Sequence, residues 1–347
     1  MLKNTTEISA LGQFGLIEKL TADFAPANAS TVRGPGDDAA VIACGDNGAG
    51  EYKLLSTDLL LEGVHFDLTY FPLKHLGYKA VVAGVSDIYA MNGRPEQLTL
   101  ALGVSTRMKV EMLEEFYAGV RRACSDYGVD LAGGDLSTSL TGFTIAVSVL
   151  GSVAQEKITY RGGAKENDLI CITGDLGAAY MGLRLLEREK RVLEGHNDPK
   201  PEFEGYEYLL RRQLAPAARP DVIVGLAAAG VVPTSMIDLT DGLASDLLQI
   251  CKASGAGACV YLERIPISSE VNRLCEQMHS DPVVAALNGG EDYELLFTVP
   301  LALQEKITDI GGIDVIGHIT APDTGVKLVT PDGGEISMTA PGWTALV

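Results

Sequence analysis

Several signatures that define common enzyme classes are missing from this sequence. It contains no G-x-x-x-x-G-K-[ST] loop, no protein-kinase catalytic loop and no G-x-S-x-G turn. Its five histidines include no pair at zinc-ligand spacing, and its six cysteines form no CxxC pair. These absences exclude P-loop nucleotide hydrolysis, protein-kinase chemistry, serine hydrolysis of the α/β type and a zinc centre of the usual pattern.

Positive charge is also scarce. The 347 residues include 27 Lys and Arg against 46 Asp and Glu, a formal net charge of −19. Such a surface repels nucleic acid and anionic membranes, so neither is expected as a partner. A phosphate-bearing substrate would need bound cations or a local group of basic residues to reverse the sign at its site. Acidity that serves only solubility is the alternative.

Long hydrophobic runs are absent as well. No uncharged apolar stretch approaches membrane-spanning length, and the first twelve residues lack the basic-then-apolar pattern of a signal peptide. The scattered cysteines are typical of reduced thiols rather than of a disulfide framework. We therefore expect a cytoplasmic protein.

The length and the pattern predict an α/β (α+β) protein of two domains, divided into residues 1–153 and 154–347. Apolar residues at helical spacing predict helices over Lys74–Asn92, Lys109–Tyr127 and Leu243–Ala253, with another from about Ala178. Short apolar runs predict strands over these segments: Tyr52–Ser56, Leu98–Val104, Val129–Ala132, Phe143–Leu150, Asp168–Thr173, Ser235–Leu239, Tyr293–Val299, Ile313–His318 and Gly325–Thr330.

Acidic residues recur in glycine-rich or small-residue turns beside these strands, where α/β sheets bind ligands. Each occurrence is weak alone, because a solvated turn or a helix cap uses the same residues. Six in one chain indicate a cation-binding, phosphate-handling site instead. The six segments are Gly34–Ala39, Ser56–Asp58, the helix residue Asp87, Gly133–Asp135, Asp238–Gly242 and Asn288–Tyr293.

Asp87 carries the strongest of these signals. It lies on a predicted helix, on the face that holds Ala80, Ala83 and Gly84. Small residues favour close packing, and a covered carboxylate requires a cation or several hydrogen bonds. A metal ion is the favoured partner, and pairing with Lys79 or Arg94 is the alternative.

Asp238–Gly242 is predicted to end a strand and to open a helix. The N-terminus of a helix binds phosphate through backbone N–H groups, and the neighbouring acids can hold the accompanying metal. Asp241 could instead be only the helix N-cap.

Eight segments, in this order, resemble thiamine-monophosphate kinase, in the superfamily of aminoimidazole ribonucleotide synthetase and selenophosphate synthetase. STD followed by GVHF, and the helix ending VSDIYAM, are the kinase-like features. The segments are PGDDAAVI, STDLLLEGVHFDL, GYKAVVAGVSDIYAMNGRPEQLTLAL, LAGGDLS, TYRGGAK, TGDLGAA, MIDLTDGLASDL and NGGEDYELLFTV.

The resemblance implies a role for individual residues. Asp87, Asp135 and Asp238 are implied to be catalytic. The implied ligands of several Mg²⁺ ions are Asp38, Ser56, Thr57, Asp58, Asp87, Asp135, Asp238 and Asp241. The implied ATP contacts are Gly134, Asp135, Arg161, Thr240 and Tyr117. The implied thiamine phosphate contacts are His65, Glu291 and Trp343.

The resemblance also implies direct transfer of the γ-phosphoryl group of ATP to thiamine monophosphate, giving thiamine diphosphate. It implies a homodimer in which the N-terminal mixed sheet forms a shared barrel, with a C-terminal α/β domain beside it. Another ATP-dependent synthetase of the superfamily and a non-catalytic divalent-metal-binding protein are the alternatives. Selenophosphate synthetase is disfavoured because no cysteine precedes Cys44.

Overall fold

The computed structural model describes residues 7–45, 50–195 and 201–340. Two β-sheets with flanking helices make up these residues, as the sequence predicts. The helices are α1 (Gly12–Thr21), α2 (Leu73–Ala90), α3 (Val110–Tyr127), α4 (Ala178–Gly195), α5 (Glu207–Leu214), α6 (Pro220–Ala229), α7 (Leu243–Ser254), α8 (Ser269–Gln277), α9 (Pro282–Asn288) and α10 (Gln304–Ile310).

The first sheet has six strands in the order β1-β2-β3-β6-β4-β5. All neighbours are antiparallel except β4 and β5, which are parallel. The strands are β1 (Thr31–Arg33), β2 (Ala40–Ala43), β3 (Glu51–Leu61), β4 (Arg94–Val104), β5 (Asp130–Thr138) and β6 (Thr144–Ala154).

The second sheet has seven strands in the order β13-β12-β9-β11-β7-β10-β8. Strands β7 and β10 are buried along their whole length, which explains their largely apolar sequence. The strands are β7 (Leu169–Thr173), β8 (Ser235–Asp238), β9 (Gly257–Tyr261), β10 (Leu295–Val299), β11 (Ile313–Thr320), β12 (Val326–Val329) and β13 (Glu335–Ser337).

Helix α2 lies directly on the first sheet. A Cβ atom at Gly84 would come within 2.6 Å of the Val149 side chain, so only glycine allows this approach. On its other side, a Cβ at Gly77 would lie 2.0 Å from the carbonyl oxygen of Phe116 in α3. Helix α2 therefore packs closely against the first sheet on one side and against α3 on the other, which fixes its position between them.

Two strand predictions are wrong in their bounds. The predicted strand Tyr52–Ser56 extends to Leu61, so Ser56, Thr57 and Asp58 lie inside β3 and not at its end. Likewise Gly133, Gly134 and Asp135 lie inside β5 rather than in a turn after it. Because successive side chains of a strand point to opposite faces of the sheet, Ser56 and Asp58 share one face and Thr57 lies on the other.

Strand β5 is an unprotected edge. Every one of its nine residues is exposed, among them the large apolar side chains of Leu131 and Leu136. An exposed edge strand offers unpaired backbone groups to another strand.

In the described part of the chain, no helix is long and apolar enough to cross a membrane.

Candidate functional site

Three acidic side chains converge between the two sheets. Carboxylate oxygens of Asp38, Asp87 and Asp238 all lie within 4.8 Å of one another. Asp38 comes from the turn before β2, Asp87 from the last turns of α2, and Asp238 from the end of β8. Three separate segments of the sequence thus meet at one point, as the hypothesis of a shared site requires.

Hydrogen bonds hold α2 to both sheets at this point. Ser86 Oγ donates to Asp238 Oδ2 at 2.5 Å, and Ser56 Oγ donates to the carbonyl oxygen of Gly84 at 3.3 Å. Asp58 on β3 lies close to the cluster, because its charge is one cause of the raised pKa of Asp87. The two serine contacts position the end of α2 relative to β3 and β8.

The cluster is electrostatically unfavourable by itself. Burial raises the carboxyl pKa of Asp38 to about 7, with the neighbouring Asp238 adding to the rise. Burial also raises the pKa of Asp58 to about 6 and that of Asp238 to about 6. The pKa of Asp87 lies well above its ordinary value for the same reason, reinforced by Asp58. Such a set of acids favours a cation or protons.

Two buried oxygens in the cluster are available for a ligand. Asp38 Oδ2 and Asp58 Oδ2 are buried and have no hydrogen-bond partner within the described residues. Hard carboxylate oxygens at this spacing are the donors that Mg²⁺ prefers. The residues present therefore fit a divalent metal ion, and Ser56 lies on the same face of β3 as Asp58. The Thr57 side chain faces the other side, where its hydroxyl is hydrogen-bonded to that of Ser148, so the expectation that it joins these ligands is not met.

Arg161 is the one basic side chain bonded directly to the cluster in the described structure. Its guanidinium donates to Asp38, and its backbone N–H donates to Asp37 Oδ1 at 3.1 Å. Its Nε is buried without a hydrogen-bond partner. Arg161 offsets part of the acid charge and keeps one donor unused.

The turn that follows β8 is held by an acid that the sequence analysis missed. Asp246, which is 1% exposed, accepts the backbone N–H groups of Thr240 and Asp241 at 3.2 Å each. Those two N–H groups are therefore occupied by Asp246, whereas α7 itself begins at Leu243. The N-cap of α7 is Gly242, so the alternative that Asp241 is only the N-cap is wrong.

A cavity of about 570 Å³ opens beside this turn. His65, Tyr70 and Glu291 contribute polar groups to its wall, together with Thr240 and Asp241. A pocket of this size accommodates a small organic molecule. The predicted substrate residues and the predicted metal residues thus adjoin one another.

The two substrate-side groups differ in their bonding. His65 Nδ1 accepts the backbone N–H of Leu61 at 3.0 Å, and burial lowers the pKa of its imidazole. Glu291 Oε2 lies 2.9 Å from the ammonium of Lys79 and accepts from Gln213 Nε2 at 3.1 Å.

The alternative pairing of Asp87 with Lys79 or Arg94 is wrong, because Lys79 pairs with Glu291, and Arg94 pairs with Glu96.

Three predicted ATP contacts lie apart from the cluster. Gly134 and Asp135 are exposed on β5, three strands from β3 and about 14 Å away at the usual strand spacing. Across the sheet, Asp135 is paired through Ala101 and Ala146 with Leu59 of β3. Paired residues face the same side of a sheet and successive residues face opposite sides, so Asp135 faces away from Asp58. Tyr117 packs edge-on against Phe116 in α3. Trp343 lies outside the described residues.

Comparisons with known proteins agree with this arrangement. Residues 36–153 match the family model described as "AIR synthase related protein, N-terminal domain". The chain is 34% identical over 327 residues to the thiamine-monophosphate kinase of Aquifex aeolicus, covering 94% of this chain and 98% of that protein. It is 33% identical over 339 residues to the thiamine-monophosphate kinase of Synechococcus elongatus, covering 95% and 94%.

A solved structure is similar over the same length. The structure described as "AaThiL complexed with AMPPCP and TMP" superposes with a TM-score of 0.81 and 31% identity. The superposition covers 98% of this chain and 99% of that chain. Both sheets therefore share one architecture with that protein.

Proposed function

We propose that this chain, which belongs to the thiamine-monophosphate kinase family, transfers the γ-phosphoryl group of ATP to the phosphate of thiamine monophosphate, giving thiamine diphosphate and ADP. The observation that carries the proposal is a buried acid cluster that includes Asp238 at the end of β8, with an organic-sized cavity lined by Thr240 and Asp241 of the turn that follows. A similar protein has been solved with an ATP analogue and TMP bound. The chemistry is thus phosphotransfer to a phosphate acceptor.

The acids of the cluster would hold several Mg²⁺ ions. Asp38, Asp87 and Asp238 lie closest together, and Ser56, Asp58 and Asp241 would extend this set. Thr57 and Asp135 lie on the opposite face of the first sheet, so they would hold a separate ion. Bound Mg²⁺ supplies charge neutralisation for the phosphates that must approach each other. Like charges 4 Å apart repel by about 4 kcal/mol at an effective dielectric of ~20, and basic residues here are too few to cancel several such pairs.

The reaction needs no strong general base from the protein. An acceptor phosphate oxygen is already ionised near neutral pH, so it can attack the γ-phosphorus without losing a proton. Asp87 and Asp238 act by electrostatic organisation rather than by proton transfer, and Asp135, which lies apart from them on β5, acts in the same way only on a nucleotide that reaches that strand. Transfer is direct, and no phosphoenzyme forms. Arg161 and Thr240 contact ATP, whereas His65, Glu291 and Trp343 contact thiamine monophosphate.

The protein acts as a homodimer in this proposal. The exposed strand β5 and the apolar side chains on its face support pairing with a second copy. A barrel shared by the two first sheets would bury Gly134 and Asp135 at the boundary between the copies. ATP then binds at or near that boundary, with Tyr117 close to it, and residues 1–153 form the ATP-binding and dimerisation domain and 154–347 the second domain.

We place the protein in the cytoplasm. The six cysteines are all free, three of them buried, as in a reducing compartment. The net charge of −19 disfavours nucleic acid and anionic membranes as partners.

One assay separates this function from its alternatives. The purified protein is incubated with ATP, MgCl₂ and thiamine monophosphate, and the products are resolved by ³¹P NMR and chromatography. Stoichiometric ADP and thiamine diphosphate support the proposal. ATP turnover without thiamine diphosphate would indicate another synthetase of the superfamily, and Mg²⁺ binding without turnover would indicate a binding protein.

A further inference from the structure

The ammonium group of Lys79 lies inside the protein. Lys79 is 0% exposed, on α2. Its Nζ atom lies 2.9 Å from Glu291 Oε2, donates to the carbonyl oxygen of Gln213 at 3.3 Å and sits 5.4 Å from the centre of the Phe71 ring. Burying a lysine is costly unless its charge is paired and hydrogen-bonded, so these partners define where the group can be.

Glu291 is fixed from its backbone as well as from its carboxylate. Its φ of +58° is uncommon for a residue with a side chain. Its N–H donates to the carbonyl oxygen of Thr240 at 2.9 Å, which ties it to the turn after β8. A strained conformation persists only where surrounding contacts enforce it, and such sites cluster where ligands bind.

Both side-chain contacts of Glu291 fall on the same oxygen. Lys79 and Gln213 each contact Oε2, so within the described residues Oε1 is the oxygen left for a ligand. Glu291 lines the 570 Å³ cavity, with 26% of its side chain exposed. The carboxylate is thus anchored at one oxygen and offered to the cavity at the other.

We propose that Lys79 is a positioning residue that orients the Glu291 carboxylate to receive the organic end of thiamine monophosphate. That end carries a cationic thiazolium ring and an aminopyrimidine with N–H donors, and both are complementary to a carboxylate oxygen. This inference rests on the proposed function. Lys79 itself does not touch the substrate, since Glu291 and Gln213 enclose its ammonium group.

The test compares steady-state kinetics of Lys79→Met and Lys79→Arg with those of the wild type. We expect Lys79→Met to raise KM for thiamine monophosphate at least ~10-fold, with KM for ATP within about twofold, because only the substrate-side carboxylate loses its anchor. Lys79→Arg keeps a cation and should recover much of the loss. Lys79→Met combined with Glu291→Gln should be no worse than Glu291→Gln alone.

Lys53→Met is the matched control. Lys53 Nζ on β3 lies 2.8 Å from Glu96 on β4 in another lysine–glutamate ion pair, which is more exposed, and neither residue lines the cavity. It should change neither KM. Should Lys79→Met fail to fold, Gln213→Met removes the second anchor of Oε2 and should shift the same KM in the same direction.

The outcomes separate the two proposals. A wild type that neither binds nor phosphorylates thiamine monophosphate overturns the proposed function, and the role of Lys79 with it. An active wild type whose KM for thiamine monophosphate is unchanged in Lys79→Met and in Gln213→Met overturns the role of Lys79 alone. Equal rises in both KM values point to a general structural role and overturn it as well. Isothermal titration with thiamine monophosphate in the absence of ATP gives the same comparison without turnover.

Discussion

The guanidinium group of Arg161 donates a hydrogen bond to Asp38, an acid whose carboxylate lies within 4.8 Å of those of Asp87 and Asp238. The arginine comes from the segment between the two sheets, so one ion pair joins that segment to the acid cluster. Burial raises the pKa of Asp38, whereas Arg161 lowers it and favours the carboxylate form. The metal-free cluster is therefore partly compensated by the protein itself.

Replacing Arg161 with Met should destabilise the metal-free protein. Removing one partner of a buried ion pair leaves the other charge unpaired, at a cost of about 3 kcal/mol. The expected result is a lower melting temperature in EDTA, with Mg²⁺ restoring much of the loss. Differential scanning fluorimetry measures both, and Arg122→Met, which breaks an exposed ion pair with Asp126, serves as the control. An unchanged melting temperature in EDTA would contradict the ion pair.

Replacing Asp87 with Asn should separate activity from stability. We expect kcat to fall at least ~10²-fold, because the cluster loses a carboxylate that organises charge in the transition state. The same neutral amide relieves repulsion from Asp58 and Asp238, so the metal-free melting temperature should be equal or higher. Steady-state rates and melting curves test the two effects. Asp309→Asn on the exposed face of α10 is the control, and near-normal turnover in Asp87→Asn would refute its assigned role.

Stabilisation by Mg²⁺ should depend on pH. The carboxyl pKa values of Asp38, about 7, and Asp238, about 6, are raised above the ordinary ~4. A raised folded-state pKa gives stability that is fully present below about pH 4 and is lost as the pH rises towards 7. Without metal, the cluster is thus least favourable at pH 8. Protons also compete with the metal below pH 6.

The expected measurement is a larger Mg²⁺-induced rise in melting temperature at pH 8 than at pH 5. Melting curves in EDTA and in saturating MgCl₂ at both pH values provide it. The double variant Asp38→Asn with Asp238→Asn should lose the difference between the two pH values. An equal rise at both pH values in the wild type would count against metal binding by these acids.

The exposed edge of β5 predicts the assembly state. Leu136, which is 65% exposed in the single chain, should be covered when two copies pair. Leu136→Glu should convert the dimer to a folded monomer, because a buried unpaired charge is costly. Light scattering coupled to size-exclusion chromatography measures the mass. Leu301→Glu, at a site 57% exposed beside α10, should leave it unchanged. A wild-type monomer would overturn the proposed dimer.

Sequence reasoning succeeded where apolar periodicity was long and regular. Helix α2 was predicted over Lys74–Asn92 and spans Leu73–Ala90, and α7 was predicted to within one residue. The long apolar faces of such helices leave few alternatives. The convergence of Asp38, Asp87 and Asp238 was also expected, from the recurrence of acids near strand ends and from the resemblance to the kinase family.

The failures have local physical causes. Gly133 and Gly134 were predicted to lie in a turn after the strand, yet they lie within β5, where a Cβ at Gly134 would lie 2.0 Å from the carbonyl oxygen of Leu100. Position 134 requires glycine because the backbones of the neighbouring strands β4 and β5 approach each other closely there. Asp246 gave no sequence signal, since its role depends on a turn geometry that composition does not encode.

The burial of Lys79 could have been predicted from the residues that follow it in the sequence. Residues 80–85 are apolar or small around the whole helix, so a lysine beside them must also be covered. The identity of its partner was beyond reach, because Glu291 is 212 residues away along the chain.

Helix α2 carries both Lys79 and Asp87, and this sets a length. Asp87 lies eight positions after Lys79, which corresponds to a rise of about 12 Å in a helix. On the proposed function, Lys79 at one end of this span anchors the carboxylate that receives the organic part of thiamine monophosphate, and Asp87 at the other end belongs to the acids that would hold Mg²⁺ for the phosphate. A phosphorylated molecule that is much shorter or longer should then be a poorer substrate, because it would not reach both ends of the span.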